Sequence, residues 1–89
     1  MSDIFARANE LRENHRKALR ELDRAFQSWK ANAARLGDSS VTISAVVKEN
    51  KRLRQVLKTA QTREHQAMIE WLEFAASHQR HLIEGGFNR

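Results

Sequence analysis

The sequence predicts an all-α protein folded as an antiparallel, coiled-coil-like two-helix hairpin. The 89 residues include no proline and only three glycines, so the residues that most often break helices and form turns are scarce. Only one internal segment, residues 37–40, combines the residue types that end helices and form turns. On both sides of it, apolar residues recur at alternating spacings of three and four, the heptad pattern of coiled coils.

The first helix is predicted over residues 3–36. Ser2 or Asp3 can cap its start, Arg35 suits its last turn, and Gly37 can end it in a left-handed conformation. One heptad seam runs through the whole segment. It consists of Ile4, Ala8, Leu11, His15, Ala18, Leu22, Ala25, Trp29, Asn32 and Leu36.

A turn is predicted over about residues 37–42, because Asp38 and the serines after it can bond nearby backbone donors. The second helix is predicted over about 43–84, with glycines ending it and Phe87 free to pack back. Its start is open between residues 40 and 44, since no Ser or Thr there is followed three positions later by Glu or Gln. Its seam consists of Ile43, Val46, Asn50, Leu53, Leu57, Ala60, Glu64, Ala67, Trp71, Phe74 and His78.

The β-branched residues at the start of the second segment allow another interpretation, a short strand as in ribbon-helix-helix DNA-binding proteins. These residues are Val41, Thr42, Ile43, Val46 and Val47. In that fold the strand comes first in the domain, whereas a helix of about 34 residues precedes it here. A helical start is therefore preferred.

Two helices joined by a short loop pack antiparallel. Residue numbers then rise along one helix as they fall along the other, so the two numbers of every facing pair of seam residues add up to the same sum. A sum of 82 places Leu11 against Trp71 and brings Asn32 to Asn50, whereas a sum of 75 sets Leu11 against Glu64. Cavities and unpaired buried amides each cost about 1 to 3 kcal/mol, which favours 82. In that register His15 lies one layer from Glu64, which predicts a partly buried polar contact.

Further apolar residues lie beside each seam, so a hairpin alone leaves apolar surface uncovered. They are Phe5, Leu19, Phe26, Ala33, Val47, Val56, Met68, Ile69, Leu72, Leu82 and Ile83. The expected solution is a homodimer that forms a four-helix bundle. The alternative is a hairpin that keeps this surface for a different protein.

We expect no enzyme, catalytic residue, metal or cofactor. The chain has no cysteine, no glycine-rich phosphate loop and no His-Glu-x-x-His motif, and its carboxylates alternate with basic residues as solvated ion pairs do. His78, His81 and Glu84 follow one another at spacings of three. Without further ligands they are interpreted as ordinary residues of the last helical turns. No signal sequence or membrane-spanning segment is apparent, so we expect a cytoplasmic protein without a membrane or small-molecule partner.

Charge is the most informative functional feature. The net charge is +5, and residues 1–60 sum to +6 whereas residues 61–89 sum to −1. A basic helical surface attracts the phosphate backbone of DNA or RNA without reading bases. The candidate nucleic-acid-binding residues are Arg16, Arg20, Arg24, Lys48, Lys51, Arg52, Arg54 and Lys58.

The acidic, aromatic-rich end supports an alternative function, a protein-interaction module such as an adaptor or inhibitor of the kind that plasmids and phages encode. Trp and Phe are frequent anchors of protein interfaces. The candidate residues for a partner or dimer interface are Phe5, Leu19, Phe26, Met68, Trp71, Leu72 and Phe74.

Overall fold

The computed structural model describes residues 2–86, and its regular structure over that range is entirely helical. Helix α1 spans Ser2–Ala34 and continues into a 3₁₀ turn at Arg35–Gly37. Helix α2 spans Ile43–Ser77, and a short helix α3 spans Gln79–Glu84. The all-α prediction is confirmed.

Two local side-chain caps hold the connection between α1 and α2. The hydroxyl and the backbone N–H of Ser40 donate to Oδ1 of Asp38 at 2.7 and 2.9 Å, and both bonds lower the pKa of that carboxyl. Oγ1 of Thr42 accepts from the N–H of Ala45 at 3.3 Å and caps α2. The helical start that the sequence left open therefore lies at Ile43, and the alternative of a strand over residues 41–47 is wrong.

Gly37 does not adopt the left-handed backbone that its place after the first helix predicts. Among the described residues, the glycine with positive φ is Gly86, at 76°. The first helix instead tightens into its 3₁₀ turn, where the N–H of Asp38 donates to the carbonyl of Arg35 at 3.0 Å. The predicted position of the helix end is close, but the predicted mechanism is wrong.

The second helix does not run without interruption to residue 84 as predicted, because it breaks at His78. This residue has φ −121° and ψ 20°, outside helical geometry. Its Nδ1 lies 3.0 Å from the carbonyl oxygen of Phe74, and the two rings stack with centroids 4.3 Å apart. The backbone N–H of His78 also donates to that carbonyl, at 3.0 Å. After the break, α3 buries Leu82. Phe87, which was expected to pack back, lies outside the described residues.

Gly85 packs against the ring of Phe5, and a Cβ added there would overlap Cζ of that ring. We therefore expect Gly85→Ala to lower the free energy of unfolding by about 1 to 3 kcal/mol, the usual cost of overpacking. Gly37→Ala is the matched control, since nothing lies within 4 Å of its added Cβ. The control should be neutral or raise stability by up to about 1 kcal/mol. Denaturant titration of both variants checks this, and equal losses would contradict it.

The contacts between α1 and α2 show that the helices are antiparallel. Nε2 of His15 lies 3.4 Å from Oε1 of Glu64, which confirms the predicted polar contact. One layer nearer the turn, Glu21 pairs with Arg63 at 3.6 Å. The residue numbers of these pairs sum to 79 and 84, on either side of the predicted 82 and both above 75.

Asn32 is buried, but it does not pair with Asn50 as the register argument predicted. Its Nδ2 donates to the carbonyl of Val46 at 3.0 Å, and its Oδ1 accepts from Arg35 at 3.2 Å. A backbone carbonyl has two lone pairs, so Val46 can accept this bond beside its helical one. The first turn of α2 thus satisfies the amide nitrogen, and Arg35 satisfies the amide oxygen.

The core of the hairpin is thin. Its buried apolar residues are Ala8, Leu11, Ala18, Ala25, Val46, Leu53, Ala60 and Leu82. Half of them are alanines, which let the helices approach closely but remove little apolar surface from water. The result is a rod of 60 × 20 × 15 Å with a radius of gyration of 19.0 Å. A compact domain of this length would have a radius of about 12 Å.

Candidate nucleic-acid interface

The hairpin has two long faces, one on each side of the seam. Each face is formed by one heptad position that flanks the seam of α1 and by the same position on α2, which lies beside it in an antiparallel pair. We call one the open face; it consists of Phe5, Arg12, Leu19, Phe26, Ala33, Val47, Arg54, Gln61, Met68 and Ala75. We call the other the polar face; it consists of Arg7, Asn14, Glu21, Ser28, Glu49, Val56, Arg63, Glu70 and Ser77. Of the ten large apolar side chains beside the seams, five lie on the open face, namely Phe5, Leu19, Phe26, Val47 and Met68, and they include all three of those on α1.

Four basic residues of α2 share the side of the helix that borders the open face. We call them the basic stripe: Lys48, Lys51, Arg54 and Lys58. Spacings of three and four place their side chains along one side of a helix. All four are exposed, and none has an ion pair with an acidic residue in the described part of the chain. Their charges are available to a ligand.

The basic stripe borders a groove with a volume of about 580 Å³. Lys51, Arg54 and Lys58 line it together with the half-buried Trp29 of α1. The ring of Phe26 lies beside Trp29, with centroids 6.1 Å apart. Arg54 and Phe26 also belong to the open face, so a chain packed on that face would cover this groove and leave Lys48, Lys51 and Lys58 along its border.

Two predicted site residues of α1 are already paired with an acidic neighbour. Arg20 lies 3.3 Å and Arg16 lies 3.8 Å from the carboxylate of Glu13. These pairs are exposed and weak, but they reduce the positive potential on the outer side of α1.

The remaining two predicted residues line a groove on the other side of the hairpin. Arg24 and Arg52 border it with Arg63, around a volume of about 510 Å³. Arg52 forms an ion pair with Glu49. The hydrogen bond between them and the negative charge of Glu49 both raise the pKa of Arg52. The structure therefore does not bring all eight predicted residues onto one surface.

Arg63 is not among the predicted site residues because it lies in residues 61–89, whose charges along the chain sum to −1. In the hairpin Arg63 lies seven residues after Val56 on the polar face, in the same groove as Arg24 and Arg52. The helical repeat was the signal that could have found it. Its pair with Glu21 adds a negative charge to that groove, which makes it a poorer phosphate site than the basic stripe.

Folding sharpens the charge asymmetry along the rod. The half nearer the turn, residues 19–63, carries ten basic and four acidic side chains, a net +6. The described part of the other half, residues 2–18 and 64–86, carries five basic and seven acidic side chains, a net −2. The two ends of the rod therefore differ by eight charges.

The residues of α2 that were predicted at a partner interface differ in how far they are exposed. Trp71 and Phe74 are half-buried, with the guanidinium of Arg12 lying 5.9 Å from the Trp71 ring centroid. Leu72 is 54% exposed and Met68 is half-buried. Trp71 and Phe74 therefore contribute to the packing of the hairpin, and Leu72 is the better probe of this surface.

The histidines near the end of α2 form no cluster of ligands. His78 lies at the helix break with its Nδ1 beside the carbonyl of Phe74, and His81 follows in α3. Within residues 2–86, no three His, Cys, Asp or Glu side chains come together as a metal site. None of the described helices has the length and apolar character needed to span a membrane.

These features define an all-α rod with one open apolar face and a basic stripe along its border. Comparisons with protein-family models, with curated proteins and with solved structures find no match to this chain.

Proposed function

We propose that this chain is a non-enzymatic cytoplasmic protein that binds the backbone of DNA or RNA through the basic stripe, and that it acts as a homodimeric four-helix bundle. The observation that carries the binding proposal is the geometry of Lys48, Lys51 and Lys58, because the fourth member of the stripe, Arg54, lies on the open face that the dimer covers. The three lysines lie along one side of α2 without acidic partners in the described chain.

The spacing of the basic stripe suits a phosphate backbone. Lys48 and Lys58 are ten residues apart, about 15 Å along a helix. Phosphates of one DNA strand repeat about every 3.4 Å along the duplex axis, so several lie within the reach of these long side chains. The stripe contains no rigid pattern of donors for base edges, so its binding is expected to depend little on sequence.

The surface area of the hairpin supports the homodimer. The chain exposes 6840 Å², whereas a compact monomer of 10.3 kDa exposes about 5,400 Å². The excess of about 1,400 Å² is larger than the roughly 800 Å² that each partner buries in a standard interface. Leu19 and Phe26 on the open face are among the exposed large apolar residues that an interface would cover.

Titration of a labelled DNA duplex at about 50 mM and about 200 mM salt tests the binding proposal. In the dimer the three lysines Lys48, Lys51 and Lys58 remain outside the open face, and three phosphate contacts predict a slope of about −2.7 in a plot of log affinity against log salt. Removing two charges with Lys51→Gln and Lys58→Gln should reduce the magnitude of this slope by about 1.8. Both side chains are exposed, so helix content measured by circular dichroism should not change.

The matched control removes the same charge from the α1 arginines that pair with Glu13. The variant Arg16→Gln with Arg20→Gln should keep most of the affinity and of the salt slope. Affinity that does not respond to salt would contradict the proposal. An equal loss of affinity in both double variants would also contradict the proposal, because binding would then depend on the net charge of the chain and not on the basic stripe.

A further inference from the structure

We infer that the two hairpins of the dimer are antiparallel, so that the turn of each lies beside the chain ends of the other. This inference rests on the homodimer proposed above. It assigns the open face to a second copy of this chain and states its orientation.

Two arrangements can place one open face against another with two-fold symmetry. If the axis runs along the rod, the turns lie at the same end and α1 packs on α2 of the partner. If the axis crosses the rod, the turns lie at opposite ends and each helix packs on its own copy.

The charge asymmetry favours the second arrangement. Turns at the same end would place two halves of +6 side by side, with the basic stripes of both copies at one end of the bundle. Turns at opposite ends place each +6 half beside a half of −2. Helices pack 8 to 10 Å apart, about one Debye length at physiological salt, so this difference is only partly screened.

In the antiparallel arrangement the open-face residues of α1, which recur every seven residues, pair about Leu19. Leu19 lies at the two-fold axis, opposite Leu19 of the partner subunit. Seven residues away, Arg12, whose guanidinium lies 5.9 Å from the Trp71 ring centroid of its own chain, faces Phe26 of the partner subunit. At the ends, Phe5, whose ring packs against Gly85 of its own chain, lies opposite Ala33 of the partner subunit.

Spin labels on single cysteines measure the orientation directly, since the chain has no cysteine of its own. Ser39→Cys places a label on the exposed turn, and Asp23→Cys places one on the exposed surface near the middle of α1. In the antiparallel dimer the two turns are separated by about the length of the rod, 60 Å. The two central labels lie about 20 to 30 Å apart, the width of a bundle of helices packed 8 to 10 Å apart plus the label arms.

Each outcome separates the orientation from the dimer itself. A long distance for Ser39→Cys with a short one for Asp23→Cys supports the antiparallel arrangement. Short distances for both overturn it while leaving the homodimer intact. No distance in either variant, with light scattering that reports a monomer, overturns the homodimer and this inference with it.

Discussion

Replacing Leu19 by glutamate is expected to convert the dimer into a monomer. Leu19 is 43% exposed in the hairpin, so a charge there leaves the fold of one chain intact. In the dimer the same charge would be buried at the two-fold axis opposite its own copy. An unpaired buried charge costs about 3 to 5 kcal/mol, which weakens the dimer by more than about 100-fold. Light scattering across a range of concentrations measures this shift.

Val56→Glu is the matched control for Leu19→Glu. Val56 is 44% exposed, but it lies on the polar face with Arg52 and Arg63 in its groove. It should remain a dimer, since only the open face is buried. If both variants stay dimeric, the open face is not the dimer interface. If both dissociate, the interface is not confined to the open face.

Replacing Leu53 by alanine is expected to lower the free energy of unfolding by about 2 to 4 kcal/mol. Leu53 is 7% exposed and is one of three buried leucines in a core whose other members are mostly alanines. The hairpin has few neighbouring side chains that could fill the space left behind. Denaturant titration followed by circular dichroism gives the change.

Ile43→Ala provides the comparison on the same helix, because Ile43 is 70% exposed. Its effect should stay within about 0.5 kcal/mol. A loss at Leu53 as small as that at Ile43 would mean that the thin core contributes little, and that stability resides in contacts between chains.

Heptad periodicity was sufficient to predict the helices and their pairing. The 79 and 84 sums of the cross-helix ion pairs agree with the register that places large seam residues against small ones. The helix break at His78 was not predictable in the same way, because it lies in the backbone angles of one residue, φ −121° and ψ 20°, and not in the apolar pattern. Likewise, the Asn32 amide donates to the backbone carbonyl of Val46, whereas the heptad pattern predicted a pair with Asn50.

The candidate site could be predicted only in part. Charge density along the chain led to the basic stripe on α2, since its members lie within eleven residues. It also grouped them with Arg16, Arg20 and Arg24, although the first two pair with Glu13 and the third borders the opposite groove. Ion pairing and the choice of face depend on distances between side chains, which a count of charges does not contain.

From sequence alone, the absence of proline and the repeat of three and four determine two long helices, since local propensity and the burial of one apolar stripe both favour them. The assignment of faces required the folded hairpin. Packing α1 against α2 uses one side of each helix, leaves Leu19 and Phe26 exposed, and divides the rod into halves of +6 and −2. A net charge of +5 is therefore the sum of two unequal ends, and their separation in space follows from the antiparallel fold.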